Sequence, residues 1–490
     1  MSASHFDPAF ATSAEMADAL RAKRISAREL LTITFQRIDR DNPKINAIVW
    51  QTREQAIARA READETLAKG KSLGALHGVP LTIKESFAYQ GSPNTWGLPP
   101  LAEKISPRTA VAVARLESAG AIVVGKTNVP VMLGDWQSYN PVYGTTNNPW
   151  DLSRTPGGST GGGAAAVAAG IGALTIGSDL SGSIRIPAHF CGVYGHKPSL
   201  DLVSTDGFQP GPWDGSPGYP MDISVVGPLA RDARDLALAL QVLGGPNGDQ
   251  TKAWRWRLPT PRHKRMEDFR IGYVGDDAGA RLASDVGTVY EQALSELGRA
   301  GVKMERGWPA GIDPEAQMKT FGYLLSALVT ADVGADQRQK FREQLQRDPS
   351  DVFAAGAVEP HARWLHETQQ RLRVRATWQT YFESHDLFLM PVSVTAAFPH
   401  DHREPITSRV IETQDGKRPY VRDVPYWISF ASLGGLPATA APIGTTREGL
   451  PVGIQIVGPM WEDGTAIEFA ALLSAIVGGF QAPPHFASKL

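Results

Sequence analysis

Residues 157–185 read GGSTGGGAAAVAAGIGALTIGSDLSGSIR, and this stretch decides both the fold and the chemistry. Ser159 and Ser183 are each set among glycines. Glycine beside a serine allows close backbone approach and positive φ, which a nucleophile with neighbouring N–H donors requires. Between the two serines, the small residues Gly161–Ala169 predict a helix, and TIGSD predicts a strand that delivers Ser183. Upstream, GVPLTIKES (78–86) places Lys84 at the end of a short apolar, β-branched run. No other segment gathers a candidate nucleophile, a candidate base and a donor-rich backbone.

A serine hydroxyl is a weak nucleophile until its proton is removed during attack. Histidine is the usual base, yet His77, His189 and His196 stand near these motifs without a matching position in them. Lysine serves when neutral, and it loses its charge readily when desolvated. Lys84, preceded by Val79, Leu81 and Ile83, is placed for such burial. A tetrahedral oxyanion also needs pre-placed donors, each worth about 10²–10³ in rate. The backbone amides of Leu180, Ser181, Gly182 and Ser183 form the natural set.

The motifs together resemble the amidase signature family. Its pattern has a lysine in GVPxxxKD, a serine pair in PGGSSGG and a nucleophile in GTDxGGSIRxPA; here these read GVPLTIKES, PGGSTGG and GSDLSGSIRIPA. The likeness continues through GKTNVP (125–130), NNPWDLSRTPGGS (147–159), FCGVYGHKPS (190–199), GPLAR (227–231) and GLPVGIQIVGP (449–459). The resemblance implies that Ser183 attacks the carbonyl, that Ser159 relays the proton to Lys84, and that the Gly158–Ser159 peptide is cis. It also implies that Leu133, Gly134 and Asp135 lie near the scissile group, and that substrates range over amides, anilides, ureas, carbamates and esters. Homodimers are common among relatives, so a monomer or a homodimer is expected.

Three positions depart from the pattern. Glu85 replaces Asp, Thr160 replaces the second serine, and Ser181 replaces a glycine. Thr160 keeps a hydroxyl. Ser181 is either strained, by about 1 kcal/mol if its backbone needs positive φ, or adds a hydroxyl beside the oxyanion site. Asp179 and Arg185 are expected to pair and fix the loop rather than take part in chemistry.

The bulk composition agrees with a large enzyme. At 490 residues and 42% hydrophobic content the chain can bury a substantial core. A net charge of −2 with interspersed signs points away from nucleic acid and anionic membranes. The single cysteine, Cys191, permits no intrachain disulfide. No signal peptide or membrane span is legible, which makes cytoplasmic the expected location. No cofactor or metal is expected; the HDH pair of His400 and His402 reads as a polar loop.

The organisation predicted is α/β: a single domain with a mixed central β-sheet flanked by helices. An N-terminal helical segment (1–70) packs on a catalytic region (71–490), with capping-box spacings at Thr12–Glu15, Ser26–Glu29 and Thr52–Gln55. Strands are expected at VPLTI, AIVVGKT, RIGYVG, DLFLMP, ATAAPIG and VGIQIVG, and long helices near 314–346 and 361–384. Residues 204–222, with Phe208, Trp213 and Tyr219, are read as a wall of the substrate pocket, and 245–268 as an exposed connector.

Other hydrolase patterns fit less well. GGSTG satisfies G-x-S-x-G, but Pro149 and Pro156 occupy the place of the strand which that elbow needs. No serine begins S-x-x-K, a P-loop lacks its Lys-Ser/Thr, and Cys191 sits in what reads as core. The expectation is a hydrolase of aryl or alkyl amides, extending to carbamates or esters, with Trp96, Trp136 and Trp213 favouring bulky groups. A glutaminase component of a tRNA-dependent amidotransferase is the alternative. Against it, the aromatic segment YVRDVPYWISFASLGGLP (420–437) suggests a less polar substrate.

Overall fold

The short apolar runs are extended in the computed structural model, which describes residues 6–218 and 221–487. In chain order they begin with β1 (Ile48–Gln51), β2 (Pro80–Lys84), β3 (Ile122–Thr127), and a small hairpin of β4 (Tyr139–Asn140) and β5 (Gly144–Thr145). Next come β6 (Leu174–Asp179), β7 (Tyr194–Lys197), β8 (Val225–Ala230), β9 (Arg270–Tyr273), β10 (Lys303–Arg306) and β11 (Leu387–Pro391). A ribbon of β12 (Val410–Thr413) and β13 (Gly416–Pro419) precedes the long antiparallel pair β14 (Ala438–Thr445) and β15 (Pro451–Val457).

Eleven of these strands form one mixed sheet in the order β1-β3-β2-β6-β8-β7-β14-β15-β11-β9-β10. Parallel pairing occurs where helical connections intervene, as for β3, β2 and β6. Every residue of those three strands is buried, as a sheet covered by helices on both faces requires. One large apolar cluster occupies most of the interior, with two smaller ones around the 361–381 helix and the 314–329 helix.

The N-terminal segment is helical as read, with one addition: β1 pairs antiparallel with β3 and stitches the segment into the sheet. Thr12 and Ser26 form complete capping boxes with Glu15 and Glu29. Thr52 does not cap its helix; its hydroxyl donates to the carbonyl of Val123 in β3 at 2.6 Å, so the sheet edge outcompetes the helix end. The helix expected over 314–346 is two helices, Pro314–Val329 and Ala335–Arg347, because Thr330–Gly334 turns the chain. The expected strands and the Gly161–Ala168 helix are all present.

This topology fixes the site. β2 and β6 are parallel neighbours, with Thr82 opposite Thr175 and Ile83 opposite Ile176. Their carboxyl ends therefore deliver Lys84, Ser178 and Asp179 to the same edge of the sheet. Such edges, where strand ends leave a crevice, are where α/β folds bind ligands.

Candidate active site

Lys84 is the last residue of β2 and has no solvent exposure. Its Nζ donates to Ser159 Oγ at 2.7 Å and to Ser178 Oγ at 2.9 Å. Burial drives its pKa well below the usual 10.5, and the charge of Asp179 only partly opposes this. No carboxylate lies within ion-pairing distance among the described residues, so the amine is held by two hydroxyls alone.

Ser159 reaches the amine because residues 157–160 form a tight entry to the Gly161–Ala168 helix, with a cis Gly158–Ser159 peptide. Gly158 is required on steric grounds: a Cβ there would stand 2.5 Å from the carbonyl oxygen of Asp135 and 2.6 Å from the amide nitrogen of Gln137. The segment 135–137 thus lies directly under the serine. Thr160 N–H donates to the carbonyl of Ser183 at 3.1 Å, which ties the two serine loops together. Ser183 retains 7% exposure, and its hydroxyl makes no hydrogen bond among the described residues.

Asp179 organises the second loop. Its carboxylate accepts from the amides of Gly182 (2.9 Å), Ile184 (3.1 Å) and Arg185 (3.3 Å), and pairs with the Arg185 guanidinium at 2.8 and 3.0 Å. Although burial opposes it, the Arg185 charge and these hydrogen bonds hold the carboxyl below its usual range. Arg185 is tethered further to Ile428 O, Ser432 Oγ and Gln455. Gly182 has φ +84, and a Cβ would meet Ile186 and Ile428 at 2.8 Å, so only glycine suits it.

The four amides proposed as oxyanion donors are therefore not equivalent. Gly182 N–H is already engaged by Asp179, whereas Leu180, Ser181 and Ser183 N–H make no hydrogen bond among the described residues. Ser181 has no positive φ, so the strained alternative falls away; its hydroxyl is buried and unpartnered. Trp136 Nε1 donates to Ser181 O at 2.7 Å and braces the loop from outside.

Several expected site residues behave differently. Asp135, expected near the scissile group, has its carboxylate already held by Arg409 and Tyr420, and Tyr139 OH donates to it at 3.0 Å. Leu133, with φ +58, is partly buried and Gly134 exposed, both leading into the segment beneath Gly158. Trp213 is seated in the core, its amide donating to Ser106 Oγ at 3.3 Å and its indole to Ser216 O at 2.8 Å. No hydrogen bond or ring contact joins it to 157–185 among the described residues. Trp96 packs on Phe208, and the aromatics Trp427 and Phe430 of the 420–437 segment are wholly buried around Trp308. Of the indoles of Trp96, Trp136 and Trp213, that of Trp136 is the one that hydrogen-bonds to a serine loop among the described residues. Tyr219 lies outside the described residues.

The nearby histidines are structural. His189 accepts from Gly453 N–H at 2.7 Å, its Nε2 stands 3.0 Å from Thr395 O, and burial lowers its pKa to about 4. His196 bridges Thr439 and Asp463, and His402 stacks on Tyr139. Among the described residues no three His, Cys, Asp or Glu side chains gather as a metal site, and no helix is long and apolar enough to cross a membrane. Cys191 is buried, its thiol pushed up by desolvation. Two participants escaped the sequence reading. Ser178 had a signal, since it stands one residue beyond the position opposite Lys84 once β2 and β6 are aligned; Arg409 had none, being joined to Asp135 only through the fold.

The amidase family model matches residues 29–467. The chain belongs to the amidase signature family. Curated relatives include a glutamyl-tRNA(Gln) amidotransferase subunit from Picosynechococcus sp., 30% identical over 95% of this chain and 98% of that one. Indoleacetamide hydrolase from Bradyrhizobium diazoefficiens is 32% identical, over 95% and 86% respectively. Among solved structures, an amidase aligns at TM-score 0.77 with 27% identity, over 96% of this chain and all of the other. A protein from a vestigial complex at the evolutionary origin of an s-triazine catabolic enzyme reaches TM-score 0.79 at 26% identity, over 96% and 100%. The amidase signature family hydrolyses amide C–N bonds, which is the class of chemistry this chain inherits.

Proposed function

We propose that the chain cleaves amide C–N bonds through an acyl-enzyme on Ser183, with Ser159 and neutral Lys84 as the proton relay. The observation that carries the reading is the contact of Lys84 Nζ with Ser159 Oγ at 2.7 Å, with both side chains buried. A lysine desolvated there and lacking a carboxylate partner rests as the free amine, with a lone pair for the Ser159 proton. Ser183 Oγ bonds to the substrate carbonyl carbon as its proton passes to Ser159, whose own proton passes to Lys84. The relay then runs backwards, a proton reaches the leaving nitrogen, and the C–N bond breaks. Water attacks the ester by the same route and frees Ser183. The amides of Leu180, Ser181 and Ser183 are the donors open to the oxyanion.

The substrate is an aryl or alkyl amide, with carbamates and esters as side substrates. This rests on the apolar cluster of Ile223, Phe321, Leu324 and Leu433 against which Leu180 packs, and on Trp136 at Ser181. The alternative, glutamine hydrolysis within a tRNA-dependent amidotransferase, is supported by the near full-length match to the amidotransferase relative. A chromogenic panel separates the two: acyl p-nitroanilides, an aryl carbamate, a p-nitrophenyl ester and glutamine, given to wild type, Ser183→Ala and Lys84→Ala. Turnover of anilides or the carbamate, lost in both variants, supports amide hydrolysis on Ser183. Activity on glutamine alone moves the protein to the amidotransferase reading. Activity that survives Ser183→Ala but not Ser159→Ala assigns the nucleophile to Ser159.

A further inference from the structure

Beside the Leu180–Ser181 step, buried polar atoms without partners gather at one corner. Asp179 of β6 stands opposite Val225 of β8 in an antiparallel ladder, so the residues just before β8 flank the residues just after β6. Ile223 packs in the same apolar cluster as Leu180, and Asp222 precedes it in the turn that leads into β8. Arg371, on the 361–381 helix, donates through Nη1 to Asp222 Oδ1. The 314–329 helix closes the corner, and its register against the 361–381 helix follows from two contacts. Arg363 lies over the ring of Tyr323 (5.7 Å), and Thr320 Oγ1 donates to Glu367 Oε2 (2.8 Å). The helices therefore run antiparallel, and Gln317, one turn before Thr320, stands level with Arg371, one turn after Glu367.

At this corner Gln317 is 3% exposed and neither its Oε1 nor its Nε2 has a partner. Arg371 Nε, Asp222 Oδ2 and Ser181 Oγ are likewise buried and unpartnered. An unmet buried polar group costs about 1–3 kcal/mol, so several of them at one place beside a candidate nucleophile call for a partner from outside. The set offers both donors (Gln317 Nε2, Arg371 Nε) and acceptors (Gln317 Oε1, Asp222 Oδ2). It is also electrically neutral, because Asp222 and Arg371 are paired. A carboxylate would meet Asp222, and an ammonium would meet Arg371.

Resting on the acyl-enzyme reading above, we propose that this corner is a second polar subsite of the substrate pocket. It accepts a neutral group that carries both a carbonyl and an N–H, namely a further amide, carbamate or urea beyond the scissile bond. The substrates are then bifunctional, and Gln317 is the specificity-determining residue that pairs with the group not being cleaved.

The test compares kcat/KM for matched pairs. On the acyl side these are the p-nitroanilides of hexanoic acid, of adipic acid monoamide and of adipic acid itself. On the amine side they are acetanilide and its 4-carbamoyl derivative. Wild type should favour the carboxamide over the plain compound by about tenfold or more in one of the two series, mostly through KM. Gln317→Leu should erase that ratio. Asp222→Asn, which unpairs the Arg371 charge, should shift preference from the adipic monoamide towards the adipic carboxylate. A wild-type ratio near one in both series, or a ratio unchanged by Gln317→Leu, overturns the subsite and leaves these atoms merely hydrated, with the acyl-enzyme reading intact. If no anilide is hydrolysed, the aryl and alkyl amide reading of the substrate fails. The subsite is then judged on binding alone: adipamide should raise Tm more than hexanamide does in wild type, and equal shifts would overturn it.

Discussion

Lys84 and Arg185 are two fully buried basic side chains that face the same carboxylate, Asp179, and the protein treats them in opposite ways. Arg185 receives the carboxylate directly, with partners on each nitrogen of its fork. Lys84 receives two hydroxyls and only the distant field of Asp179. A guanidinium cannot shed its proton and so must be paired when buried; an amine left unpaired sheds it. The glycine-serine loop thus divides one negative charge unequally. The guanidinium stays charged and fixes geometry; the amine is left without an ion pair, as the proposed base requires.

Ser183→Ala tests the chemistry downstream of both and should have the largest effect. A fall of at least about 10⁴ in kcat/KM for an anilide is expected, with the Tm unchanged. Lys84→Arg addresses the comparison itself, since it places at the base position a group that cannot be deprotonated. Activity should fall by about 10³-fold or more, although the charge of the residue is nominally kept. Lys84→Met should be as inactive, yet should not lower the melting temperature at neutral pH. The lowered pKa of Lys84 means that the unfolded chain binds a proton which the native state refuses, from that depressed value up to about 10.5. The lysine therefore opposes folding near neutrality, and its opposition fades as pH rises towards 10.5.

Asp179→Asn breaks the other half. It strands the buried Arg185 and should cost roughly 3–5 kcal/mol in urea unfolding. Ser178→Ala removes one of the two hydroxyls at Lys84 and should lower kcat by about tenfold while sparing KM. The smallest effect is on pH dependence. Wild-type kcat/KM should decline on the acid side as Lys84 takes up its proton. Because the Asp179 charge raises the Lys84 pKa, folded Asp179→Asn should show that acid limb displaced to lower pH.

The motifs around Lys84, Ser159 and Ser183 were legible because close approach and backbone donors demand particular residues at fixed local spacing, as Gly158 and Gly182 illustrate. The apolar strand runs were legible for the same local reason. Features set by distant packing were not. The saturation of Asp135 depends on Arg409 and Tyr420, far along the chain, so an acidic residue near the site read as a candidate contact. Trp213 read as part of a pocket wall, and Trp96 and the 420–437 aromatics as signs of a bulky, less polar substrate, because composition cannot tell a core face from a cavity face. The helix break at Thr330–Gly334 was hidden by helix-forming residues on both sides.

The most direct test of the central claim is to trap the nucleophile. Wild type, Ser159→Ala and Lys84→Met would each be treated with a fluorophosphonate, and the labelled peptide identified by mass spectrometry. The account predicts label on Ser183 in wild type, and labelling slowed by orders of magnitude in both variants. Label on Ser159, or labelling of Ser183 at an undiminished rate in Lys84→Met, would contradict it.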